Sequence, residues 1–173
     1  MKLSLYETSV PSYLQTLAAV SGFLDKGLAH CRDNGIDPES MVETRLFPDM
    51  LPFRFQIQSV VHHSLGTIEA IQSGAFRPPS DLPQHDYAAL QALVEQTRET
   101  LQKCQPDAID ARAGAEIIFE FRKNRLPFTA EGFLMSFSLP NFYFHATTAY
   151  DILRSKGVPL GKRDYLGALR LKT

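Results

Sequence analysis

The sequence predicts an all-α fold: an antiparallel four-helix bundle with a small β-hairpin between the third and fourth helices, built as a single domain over residues 1–173. Apolar residues recur at spacings of three and four in separate stretches. Glycine, asparagine or proline closes those stretches, and only one short segment alternates with the period of a strand. Composition agrees, because 44% hydrophobic and 21% charged residues are those of a globular chain. A chain of this size buries about 70% of its unfolded surface without staples. Twelve Phe and six Tyr with no Trp make that core aromatic-rich.

Val10, Leu14, Leu17, Val20, Leu24, Leu28 and Cys31 share one side of helix one. Asn34-Gly35 closes it by accepting the left-handed conformation of the last turn. Ile36 to Met50 is a connector in which Asp37-Pro38 opens a short turn. Helix two carries Phe53, Ile57, Val60, Ser64, Ile68 and Ile71, with Asp49 placed to cap its start and Gly74 its end. The run Phe76 to Pro83 holds three prolines and reads as a loop. Tyr87, Leu90, Val94, Thr97, Leu101 and Cys104 define helix three, which stops before Pro106.

Ile117, Phe119 and Phe121 then alternate, Lys123-Asn124-Arg125 interrupts, and Leu126 and Phe128 follow, the pattern of the β-hairpin. Two strands alone are marginal, so this pair is expected to lie against the helices. Thr129 caps helix four, which passes Phe133 and Phe137, is disturbed at Pro140 and continues to Ser155 before Gly157. Val158 to Thr173 is expected to wrap the bundle.

Eighteen Lys+Arg against nineteen Asp+Glu leave a net charge of -1, too weak a field to hold a polyanion, so nucleic acid is excluded as a partner. No stretch approaches the ~20 apolar residues of a membrane span or the run of a signal sequence, so the expected location is the cytoplasm, away from membranes. Two cysteines make neither a disulfide framework nor a Cys-based zinc site. Cys31 and Cys104 are expected as free thiols at one end of the molecule, on diagonal helices.

Five histidines carry the remaining chemistry. His30 and His85 fall near helix ends, where an imidazole offsets the dipole or meets solvent. His62 and His63 are adjacent in helix two, and neighbouring helical residues point about 100° apart, so at most one is expected to face the axis. Asn141, His145, Thr148 and Ile152 share a face of helix four at four, three and four. A polar trio on an apolar stripe needs partners. Those partners form either a closed structural network with helix two or a pocket, which a bundle core can build from facing helices. Phe142, Tyr143, Phe144 and Tyr150 serve the core, an interface or that pocket. Gly157 to Arg163 lacks the glycine spacing and the Ser or Thr of a phosphate loop.

The run Leu139-Pro140-Asn141-Phe142-Tyr143-Phe144-His145, then Thr147-Thr148-Ala149-Tyr150, Ile152-Leu153-Arg154 and Gly157-Val158-Pro159-Leu160-Gly161-Lys162-Arg163-Asp164-Tyr165-Leu166-Gly167, resembles the C-terminal signature of an uncharacterised bacterial family. Ser4-Leu5-Tyr6, Val10-Pro11, Phe55-Gln56 and Gln58 fit the same pattern. That family is similar to the DinB/YfiT-like metalloenzymes. The resemblance implies dimer-forming four-helix bundles that bind a divalent metal through one histidine of helix two and a later His-x-x-x-His pair. Some relatives are thiol-dependent transferases or isomerases.

Carried onto this chain, the resemblance implies His62 or His63 and His145 as ligands of zinc or nickel, with Asn141 and Thr148 beside them. Asn141 stands four residues before His145 and Ala149 four after, so the second histidine of the pair is absent. Two functions remain open. One is a DinB-like protein with a divalent-metal or small-molecule pocket between helices two and four. The other is a non-catalytic homodimeric binding or stress-associated protein without a metal.

Overall fold

The computed structural model describes residues 3–79, 81 and 83–172. The protein is mostly helical with one small sheet. The first long helix, α1 (Leu5–Asp33), starts where the Ser4 side chain accepts a hydrogen bond from the Glu7 amide at 3.2 Å, and Asn34 and left-handed Gly35 end it. The connector holds one short turn, α2 (Glu39–Val42).

The stripe expected to form one second helix is broken into α3 (Phe53–His62) and α4 (Leu65–Ser73). The break falls at His63 and Ser64, where the Ser64 hydroxyl bonds back to the Val60 carbonyl at 2.8 Å. Serine competes in this way with the main-chain ladder. Asp49 caps nothing here: Phe53 begins α3 directly after extended Pro52. Gly74, at φ 84°, closes α4 as expected.

After β1 (Ala75–Phe76) and the proline-rich segment comes α5 (Tyr87–Gln102), capped by Asp86 and followed by the short α6 (Pro106–Asp110). Strands β2 (Glu116–Phe121) and β3 (Asn124–Thr129) pair antiparallel across Arg122-Lys123. The sheet has three strands rather than two, because β1 adds in parallel with Phe76 opposite Phe119. The alternation of β2 was visible in sequence, whereas a two-residue strand carries no period to read.

Thr129 caps α7 (Ala130–Phe133), its Oγ1 accepting from the Gly132 amide at 3.1 Å. The chain then passes through a π-helical stretch, Leu134–Ser138, into α8 (Leu139–Ser155). The disturbance expected at Pro140 therefore lies one turn earlier, and Pro140 itself sits harmlessly in the first turn of α8. The last helix, α9 (Lys162–Leu166), packs on α1.

Helix α1 packs against α5 and α8, and α3 packs against the same two. Tyr87 donates to the Leu24 carbonyl, Gln91 to Asp25, and Glu95 accepts from Ser21, so α1 and α5 run antiparallel. Gln56 meets His145 while the His63 carbonyl meets Ser138, so α3 and α8 are antiparallel too. Tyr13 faces Phe142 and Phe23 faces Tyr150, so α1 and α8 run parallel. Phe53 stacks on Tyr87 while Val61 shares a groove with Leu93 further along, so α3 and α5 are parallel as well.

The expected antiparallel order is corrected in this respect. Consecutive α1 and α3 keep the expected antiparallel sense, whereas between α3 and α5 the chain returns to the end where α3 starts, so Tyr87 opens α5 beside Phe53. The cysteines are corrected with it. Both are free, but Cys31 lies where α5 begins and Cys104 where α5 ends, at opposite ends of two adjacent helices.

Candidate functional site

The core between α1, α4 and α8 contains a cluster of hydroxyls. Tyr13 Oη lies 2.7 Å from Ser138 Oγ, Ser138 Oγ lies 2.6 Å from Thr67 Oγ1, and Ser138 donates to the His63 carbonyl at 2.8 Å. Tyr13 and Ser138 are fully buried and every member has a partner. Burial drives the Tyr13 phenol far above its ordinary range, so it stays protonated as a donor. The π-helical stretch supplies Ser138: an extra residue in the turn brings its hydroxyl to the carbonyl at the break between α3 and α4.

One turn away the three histidines meet. The rings of His63 and His145 stack with centroids 5.7 Å apart and planes 14° apart, and His62 meets His63 edge-on at 5.5 Å. Both His62 and His63 reach this place, against the expectation that only one would. The His63 amide still bonds to the Ser59 carbonyl at 2.8 Å, so the two rings diverge and meet edge-on, and the cavity reaches both because α3 ends there. Gly66 makes room for the arrangement: a Cβ there would sit 3.2 Å from His62 Nδ1.

These rings border a cavity of about 230 Å³ between α3, β1, β2 and α8. Phe55, Phe76, Phe119 and Phe137 form its apolar walls and Pro78 and Pro79 lie at its margin. Phe76 is central, 4.5 Å from the His62 ring and 5.9 Å from Phe137. Arg77 holds the following chain to the sheet by donating to Glu120 at 2.6 Å. Sequence reading missed Phe76 because it opens a run that prolines mark as a loop, and the packing of β1 on β2 is what aims it.

Burial sets the charge state of all three imidazoles. It pushes His145 down to about 4. It pushes His63 down to about 3, with repulsion from His62 and His145 adding to the effect. His62 is lowered for the same first reason, opposed by a hydrogen bond to the Arg77 backbone. The site is therefore neutral at physiological pH. His145 Nδ1 lies 2.8 Å from Gln56 Oε1. His62 Nε2, His63 Nδ1 and Gln58 Oε1 are buried without a partner.

Asn141 and Thr148, expected beside the histidines, do not border this cavity. Asn141 Nδ2 donates to the Phe137 carbonyl at 2.7 Å, and Thr148 Oγ1 donates to the Phe144 carbonyl at 2.8 Å, so both are bonded within their own helix. Helical periodicity placed them correctly on one face of α8, but each forms a local bond that removes it from the pocket. Thr148 lines a separate groove with Leu46, Tyr143 and Phe144.

A metal coordinates an imidazole in the plane of the ring. His63 and His145 bring two imidazoles to this place, and a zinc-type centre needs about three protein ligands. Among the described residues no group of three His, Cys, Asp or Glu side chains converges in a way that could hold a metal ion. The donor set does not fit the zinc or nickel centre that the resemblance implies.

Similarity to known structures defines the class first. The chain is similar to the crystal structure of a DinB family member protein from Shewanella denitrificans, 26% identical with a TM-score of 0.80, over 98% of this chain and 95% of that one. Residues 5–166 match the family described as a domain of unknown function, DUF1993, and the chain belongs to that family. Together these make it a DinB-like protein. No curated protein matches it. Among the described residues no helix is long and apolar enough to cross a membrane.

Proposed function

We propose that this DinB-like four-helix bundle binds an uncharged small molecule in the cavity between α3 and α8, and does so without a metal. The single observation that carries this is the ring of three buried, neutral imidazoles around an apolar cavity of about 230 Å³. A histidine held near 4 is a weak base at neutral pH but a good hydrogen-bond acceptor, which suits binding rather than proton abstraction. Apolar cavities of ~150 Å³ hold benzene, so the space here is sufficient.

Adding benzene to the protein is expected to shift the ring signals of Phe137 and His145 in NMR spectra. Unchanged signals at saturation would overturn the proposal. Stoichiometric zinc or nickel in protein purified without a polyhistidine tag would overturn its metal-free part.

A second reading, a homodimeric binding protein, is favoured by the outer face of α8. Leu46, Tyr143 and Phe144 are exposed around one groove, Phe144 at 57%. A second copy would cover that surface. Light scattering that reports 38.8 kDa, twice the 19.4 kDa chain, for wild type and 19.4 kDa for Phe144→Glu supports it; a wild-type particle of 19.4 kDa excludes it.

A further inference from the structure

We propose that the cavity selects a planar, uncharged aromatic molecule that carries an N–H or O–H donor on its edge. This rests on the small-molecule reading above and adds the ligand's chemistry.

Two polar atoms of the residues that line the cavity have a polarity that the surrounding hydrogen bonds assign. Gln56 Nε2 donates to the Leu51 carbonyl at 2.9 Å, which fixes the amide so that Oε1 is the atom facing His145 Nδ1. An amide oxygen only accepts, so Nδ1 carries the His145 proton and Nε2 is left as an acceptor. Gln58 is fixed in the same way: its Nε2 donates to the Pro83 carbonyl at 2.7 Å and lies 2.8 Å from His85 Nδ1. Its Oε1 is then an acceptor, and it has no partner.

Buried polar atoms are ordinarily satisfied, and leaving one unpaired is costly. His145 Nε2 is an acceptor on the cavity wall, and an acceptor is satisfied only by a donor, so the complement there is an N–H or O–H group.

The lining also excludes ions. Its titratable members are His62, His63 and His145, with no Asp, Glu, Lys or Arg among them. An ion entering would lose its hydration and meet no opposite charge. An anion would need a proton on an imidazole that burial keeps neutral. Phe55, Phe76, Phe119 and Phe137 offer ring faces and edges, which favour a flat aromatic guest over an aliphatic one.

Calorimetry on the wild-type protein at neutral pH with indole, 1-methylindole, indole-3-acetate and tryptamine tests each element. Indole is expected to bind. Masking its N–H in 1-methylindole is expected to weaken binding about tenfold, and the charged pair is expected to bind at least as weakly as 1-methylindole. His145→Phe should erase the preference for indole while 1-methylindole still binds.

The tautomer can be read without a variant. A long-range nitrogen–proton spectrum of the imidazoles should show His145 protonated at Nδ1 and bare at Nε2. Equal affinity for indole and 1-methylindole, tighter binding of either charged probe, or a proton on Nε2 would each overturn the proposal. If benzene binds and none of the four indoles does, the ligand class is wrong while the pocket stands. If benzene also fails, the underlying small-molecule reading falls with it.

Discussion

Two polar clusters lie one helical turn apart in the core, and they are built in opposite ways. Around Ser138, three hydroxyls and the His63 carbonyl satisfy one another completely. Around His63, the imidazoles crowd together with ring nitrogens that no protein group meets. The first cluster joins α1, α4 and α8 and has no spare valence, so it holds structure. The second has unpartnered ring nitrogens beside an open volume, the feature on which the proposed binding site rests. A buried polar group without a partner costs folding free energy, and a site retains such groups at the expense of stability.

The largest effect expected from this contrast is on acid sensitivity. His63 and His145 have native pKa values near 3 and 4, below the ordinary 6.5. Below pH 6.5 the unfolded chain takes up protons that the native state refuses, so stability is lost as pH falls. The slope approaches about 1.4 kcal/mol per pH unit for each histidine, from pH ~6.5 down to the native values. Urea unfolding at pH 7 and pH 4.5 should show this loss. His63→Leu should flatten the slope by about a third, because His62 and His145 are lowered as well, and an unchanged slope would mean that His63 is not buried neutral.

The satisfied cluster should respond next most strongly. Ser138→Ala removes the group that Tyr13, fully buried, bonds to. A cost of about 1–3 kcal/mol is expected for the phenol left without its partner. Ser138→Ala combined with Tyr13→Phe should recover part of it, because removing both partners leaves nothing unsatisfied. Chemical denaturation of the two single variants and the double variant closes that cycle. Strict additivity would contradict the direct bond.

The smallest effect should come from the histidine cluster at pH 7. His63→Leu replaces a buried ring that holds an unpartnered Nδ1 by an apolar side chain of similar size. Its stability is expected to change by no more than about 0.5 kcal/mol, in either direction. A loss above 2 kcal/mol would show that His63 is satisfied in the native protein, and the contrast between the clusters would disappear.

Much of the fold was legible along the chain because it depends on local physics. The helical stripes of α1, α5 and α8, the caps at Thr129 and Gly74 and the alternation of β2 follow from spacing and from backbone preferences of single residues. The position of His145 facing α3 was legible too, as a polar residue on an apolar face. Other features were not. The break after His62, the π-helical stretch ending at Ser138 and the parallel courses of α1 with α8 and of α3 with α5 each depend on contacts between segments far apart in sequence.

The sequence by itself determined which residues form the main helices and that His145 is a polar residue on an apolar stripe of one of them, because periodicity and capping act within a few residues. Only the tertiary structure decided that His62 and His63 both line the cavity and that Phe76 completes it, while Asn141 and Thr148 turn back to their own helix. The physical reason is that which partner a polar side chain finds depends on what else comes within about 3 Å of it, and helix spacing specifies a direction but never a neighbour.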